Sequence, residues 1–74
     1  MRPLSALLKE WRLGADIPEA EAARRCHLSR QLWRQLEDGI SRTPHRATLY
    51  KLARGTGLPV EILATASYAE PVVA

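Results

Sequence analysis

One cysteine, Cys26, and two histidines, His27 and His45, are the only soft metal-ligating side chains in this 74-residue chain. A lone cysteine excludes an internal disulfide, and three such donors are too few for a structural zinc site. Neither a metal nor a cofactor is expected, and Cys26 reads as a small buried apolar residue. No apolar run approaches the roughly 18 residues needed to span a bilayer, and no signal-peptide pattern opens the chain. A cytoplasmic protein with no membrane partner is the expectation. Internal repeats, low-complexity runs and the period-two alternation of strands are all missing. So is any Ser-His-Asp, Cys-His or paired-carboxylate set that so short a helical chain could fold into a pocket. An enzyme is therefore not expected. At 46% hydrophobic and 26% charged residues, the composition fits one small domain. Domains of this size bury only about 60% of the surface their unfolded chains expose, so stability is modest unless the molecule self-associates.

Charge is unevenly spread. The net charge is +3, yet the stretch from Arg24 to Arg54 holds eight basic residues against Glu37 and Asp38, a balance of +6, and the remainder carries −3. Concentrated positive charge of this kind suits phosphate binding. Nine of the eleven basic residues are arginine, which favours bidentate recognition and equally fits a GC-rich genome.

Apolar spacing predicts five helices. Leu4, Leu7, Leu8 and Trp11 place one face on a first helix from about Pro3 to Leu13, ended by Gly14. A second runs from about Pro18 to Cys26, with Asp16 and Glu19 at capping-box spacing. Its stripe is Ile17, Ala20, Ala23 and Cys26, small enough at the centre for another helix to approach closely. After the turn at His27-Leu28, Ser29 offers a capping hydroxyl to a third helix, Arg30 to about Asp38, closed by Gly39 as a left-handed terminator. Thr43 before Pro44 predicts the start of a fourth, running to Gly55 and burying Leu49, Leu52 and Ala53. A short fifth helix follows Leu58-Pro59 and ends near Ala64. The domain is thus expected over 1–64, with 65–74 a C-terminal tail, mobile or dimer-associated.

The third helix is the most informative element. Trp33 and Leu36 continue an apolar face, while Arg30, Gln31, Arg34 and Gln35 lie elsewhere on it. Arginine and glutamine make paired hydrogen bonds to guanine and adenine edges in the DNA major groove. A short amphipathic helix presenting four such groups is built like a DNA reader.

The segment resembles the helix-turn-helix of the phage repressor/Cro family, also called the XRE family. The resemblance rests on Ala23 between the two helices, Leu28 and Ser29 at the turn, and Trp33, Leu36, Glu37 and Gly39 closing the recognition helix. It continues through Pro44, Thr48-Leu49, Leu52-Ala53 and Gly57 to near Leu63. The implied fold is an all-α, compact five-helix lambda-repressor-like DNA-binding domain. Alignment on Ala23 and Gly39 puts Arg30, Gln31 and Gln35 where the family reads bases, and gives Trp33 and Glu37 to the scaffold. Ser29, Arg34, Arg42 and Arg46 fall among the phosphate contacts. Leu32 either packs inward or meets a thymine methyl or a neighbouring subunit, and Tyr50 is either half-buried or at a phosphate.

Three departures from the family pattern stand out. Pro18-Glu19 replaces Ser-Gln at the start of the second helix. His27 replaces the turn glycine and must take a left-handed or bridge conformation. The loop from Gly39 to Pro44 is one residue longer. Glu19 is expected to pair with Arg30 and orient it.

The function so implied is a sequence-specific transcriptional regulator, a repressor placing its third helix in the major groove of a pseudo-palindromic operator. Its partners are double-stranded DNA and a second copy of itself, the dimer drawing on Ile62, Leu63, Tyr68, Val72 and Val73, and its place is the nucleoid. Two alternatives stay open. One is a DNA-binding antitoxin whose tail or first helix grips a toxin; the other, favoured by Glu19, is a helix-turn-helix adaptor that binds a regulatory protein instead of DNA.

Overall fold

The computed structural model describes residues 3–40 and 44–68, and within them every regular element is helical: α1 (Leu4–Gly14), α2 (Glu19–Arg25), α3 (Arg30–Glu37), α4 (Arg46–Thr56) and α5 (Val60–Tyr68). None is long and apolar enough to cross a membrane. The fold is all-α, as the apolar spacing implies.

Trp33, Leu4, Leu8, Leu36, Leu52, Leu63 and Cys26 are the largest fully buried side chains. Helices α1, α3, α4 and α5 each supply at least one, the turn after α2 supplies Cys26, and Trp33 of α3 is the largest. Leu7, Trp11, Ile17, Leu28, Leu32, Leu49, Ala53 and Leu58 close over this cluster. On α2 the buried residues are Ala22 and Ala23, whereas Ala20 is exposed. A strict three-residue repeat drifts around a helix of 3.6 residues per turn, so the core stripe is set by Ala22, Ala23 and Cys26. The small side chains still do what the sequence suggests: α3 packs directly against α2.

Three successive helix ends use one device. Beyond α1, Asp16 donates to Leu13 O at 3.1 Å and Ile17 to Arg12 O at 3.4 Å; beyond α2, His27 donates to Arg24 O at 3.1 Å and Leu28 to Ala23 O at 2.9 Å; beyond α3, Gly39 donates to Leu36 O at 3.3 Å and Ile40 to Gln35 O at 2.9 Å. These are Schellman pairs, in which a left-handed residue turns the chain back onto the last carbonyls. The left-handed residues are Asp16 (φ 57°), His27 (φ 54°) and Gly39 (φ 77°). Gly39 and His27 behave as the sequence indicates. At the first end the reading changes: Gly14 remains helical and Asp16 makes the turn. Committed to that conformation, Asp16 cannot open a capping box. Pro18 precedes α2, and no side chain caps it.

Ser29 does cap α3, its Oγ accepting from Leu32 N at 3.1 Å. Helix α4 begins at Arg46 behind His45, without a side-chain cap and two residues later than Pro44 suggests; Thr43 lies outside the described residues. Gly55 stays within this helix, and Gly57 (φ 78°) terminates it. Helix α5 runs through Tyr68 instead of stopping near Ala64, because Leu63, Ala66 and Ser67 are buried against the rest. The boundary drawn at residue 64 therefore falls inside a helix.

Candidate nucleic-acid interface

The inner face of α3 is fixed by more than apolar contact. Arg12 of α1 donates through Nε to both oxygens of Glu37, at 3.1 Å each, and through Nη2 to Oε1 at 2.9 Å. The Trp33 indole N–H donates to Glu37 Oε2 at 2.7 Å. The Arg12 and Glu37 side chains are only 14% and 5% exposed, so this carboxylate is removed from water with its lone pairs taken up. Arg12 also donates through Nη1 to Ile17 O at 3.1 Å, tying down the entry to α2. The hydrogen bond to Glu37 raises the guanidinium pKa above its ordinary value, against a lowering by desolvation. The Trp11 and Trp33 rings stack obliquely beside the pair, centroids 6.0 Å apart at 58°.

With that face locked, the rest of α3 points outward. Arg30, Gln31 and Arg34 are exposed and Gln35 is half-buried, so the three expected base readers and the phosphate candidate Arg34 share the open side. Arg34 meets Asp38 only at 4.0 Å, with both side chains more than half exposed, which leaves the arginine available. Leu32 packs against the core instead of joining the polar face. Ser29 and Arg46 are exposed at the starts of α3 and α4, and Tyr50, 52% exposed, follows one turn after Arg46. Arg42, Val72 and Val73 lie outside the described residues.

Two sequence expectations are corrected. Glu19 forms no ion pair with Arg30 among the described residues; its field instead helps to hold the charge on Arg12. Arg12 binds Ile17 O and Glu37, so the start of α2 is drawn to the end of α1 and the far end of α3, away from Arg30. Leu63 is fully buried and is withdrawn from the dimer surface, whereas Ile62 beside it is 50% exposed.

Two clusters escaped the sequence. The Arg12–Glu37 pair joins residues 25 positions apart, though the i,i+4 spacing of Trp33 and Glu37 was a usable sign that they share a face. On the exposed side of α2, Glu21 accepts from Arg24 at 3.0 and 2.6 Å and from Arg25 at 3.0 Å. These bonds, Arg24 first, hold its carboxyl below the usual range.

A family model described as a helix-turn-helix domain matches residues 3–66. The chain belongs to the helix-turn-helix domain family. No curated protein matches it, and no solved structure does. In this helix-turn-helix domain α2, the His27-Leu28 turn and α3 form the motif, with α1, α4 and α5 bracing it. Membership supports a DNA-binding regulator, consistent with the repressor/Cro-type resemblance.

Proposed function

We propose that this helix-turn-helix domain is a sequence-specific transcriptional repressor, with α3 seated in the major groove of each half of a pseudo-palindromic operator. The observation that carries the reading is the division of α3. Trp33, Leu36 and Glu37 are committed to the interior, and Arg30, Gln31, Arg34 and Gln35 are left on the outer side. A rigid helix with bidentate-capable groups outward matches what base readout requires. In this reading Arg30, Gln31 and Gln35 take base edges, while Arg34, Arg42, Arg46 and the Ser29 end of α3 hold phosphates. Two copies pair on the operator, with Ile62 of α5 the apolar side chain open to a partner. Their recognition helices then fall about 34 Å apart, one helical turn of DNA.

Selection from randomised duplex DNA tests this directly. Enrichment of one palindromic site, with half-sites about 10 base pairs apart, is the expected result. Retention of all sequences alike, with an affinity that depends only on salt, would leave no role for base readout.

A further inference from the structure

We propose that this domain carries a second anion site, separate from the reading helix, in a cleft between the end of α2 and the outer face of α4, and that its ligand is a group of adjacent phosphates. Arg25, His27, Lys51 and Arg54 line the cleft, whose volume is about 380 Å³. That lies near the lower end of the roughly 300–1,000 Å³ typical of small-ligand sites. No carboxylate is among the lining residues, and none of the four belongs to α3. The site therefore shares no side chain with the proposed base contacts.

The cleft is held in shape by two unusual backbone features. Gly55 brings α4 against the end of α2: a Cβ there would stand 2.7 Å from both the Arg25 carbonyl oxygen and Cys26 Cα, and would strike Cys26 Sγ. A side chain at position 55 would force the walls apart. His27 is left-handed at φ 54°, a conformation uncommon for residues other than glycine, and its exposed imidazole lines the cleft. The cleft thus has walls set by contact between helices instead of two passing side chains.

Its charge is only partly compensated. Arg25 donates its Nε to Glu21, and its terminal nitrogens meet no carboxylate among the described residues. Lys51 and Arg54, one helical turn apart on α4, form no ion pair among the described residues. Like charges at this spacing repel, so a multivalent anion relieves what a single carboxylate would only halve. Guanidinium forks and an ammonium together suit tetrahedral phosphate oxygens. Two sources supply that chemistry: a free diphosphate group, or successive phosphates of a nucleic-acid backbone outside the groove read by α3.

The test is a backbone-amide NMR titration of the full chain with sodium pyrophosphate against a sodium chloride control of equal ionic strength. Saturable shifts at His27, Lys51, Arg54 and Gly55, exceeding the control, are expected. The double variant Lys51→Gln with Arg54→Gln, both exposed positions, should weaken the apparent affinity at least tenfold with an unchanged thermal midpoint. Shifts that fail to saturate, that follow ionic strength alone, or that are as large at Arg30 and Arg34 would overturn the site. A random 12-base-pair duplex identifies the source. If the double variant flattens the log-affinity versus log-salt slope for duplex by about two units, the phosphates are those of nucleic acid. If duplex binding is unaltered while pyrophosphate binding is lost, the ligand is the free diphosphate group.

Discussion

Glu37 and Glu21 each accept hydrogen bonds from arginine, at similar distances and with opposite surroundings. The first is 5% exposed and faces one guanidinium across two helices; the second is 26% exposed and is reached by Arg24 and Arg25 of its own helix. In water the second pair exchanges solvent for protein contacts at little gain. In the interior, losing either member leaves the other shielded from solvent and without its charge partner. The domain therefore contains arginines of two kinds. Arg12 is part of the scaffold and unavailable to any ligand, while those on α3, α4 and the end of α2 remain open to phosphates and bases.

The substitution of greatest consequence is Glu37→Ala. It leaves Arg12 with only its bond to Ile17 O and the Trp33 N–H with no acceptor, and should cost about 3–5 kcal/mol in urea unfolding, much of the stability of so small a domain. Glu37→Gln keeps an acceptor for Trp33 and should cost less. The interior also holds an ionisable group that has no partner. Burial pushes the Cys26 thiol up to about 11 from an ordinary 9.0. Because the folded value is the higher one, this contribution is complete below pH 9 and is lost as pH rises through 11. Unfolding free energy should fall by roughly 2–3 kcal/mol over that window, and Cys26→Ala should remove that part of the pH dependence.

On the outer face the effects should move from stability to binding. Arg30→Ala or Gln35→Ala should weaken the selected operator by about 1–3 kcal/mol and relax preference at one base pair per half-site, with little change in unfolding. Equal losses on specific and random DNA would instead assign these side chains to phosphates. His27→Gly should raise stability by about 1 kcal/mol, since glycine takes the left-handed turn without the steric cost. The smallest effect belongs to Glu21→Gln, which should leave the thermal midpoint where it was at 0.15 M salt. Freed of their carboxylate, Arg24 and Arg25 should bind random DNA slightly more tightly, with a steeper salt slope.

What could be read from sequence was local. Leu4, Leu8 and Trp11 place α1 by spacing alone, Ser29 announces the start of α3, and Gly39 its end, because each signal and its consequence lie within one turn of helix. Asp16 was harder, since Gly14 two residues earlier is the better left-handed candidate by propensity; the bonds back to Leu13 and Arg12 decide the matter. The far end of α5 is similar. Thr65 and Ser67 are weak helix formers, but their hydroxyls donate back to Glu61 O and Ala64 O, and burial of Ala66 completes the helix. The outward set on α3 was legible because amphipathicity separates it from Trp33 and Leu36. The partner of Glu37, the burial of Leu63 and the cleft at Gly55 depend on tertiary approach, which no local pattern encodes.

The two tryptophans have a consequence for observing this molecule in solution. Trp11 reports from α1 and Trp33 from α3, and their oblique 6.0 Å spacing is close enough for the indole transitions to couple. Trp33 also donates its N–H to the Glu37 carboxylate, which shifts the electronic environment of one chromophore and not the other. The domain thereby contains an optical gauge of how firmly the recognition helix is seated on its support. Loosening of that helix would register as loss of the paired signal in near-ultraviolet circular dichroism, with no dye attached and no residue of the reading face altered.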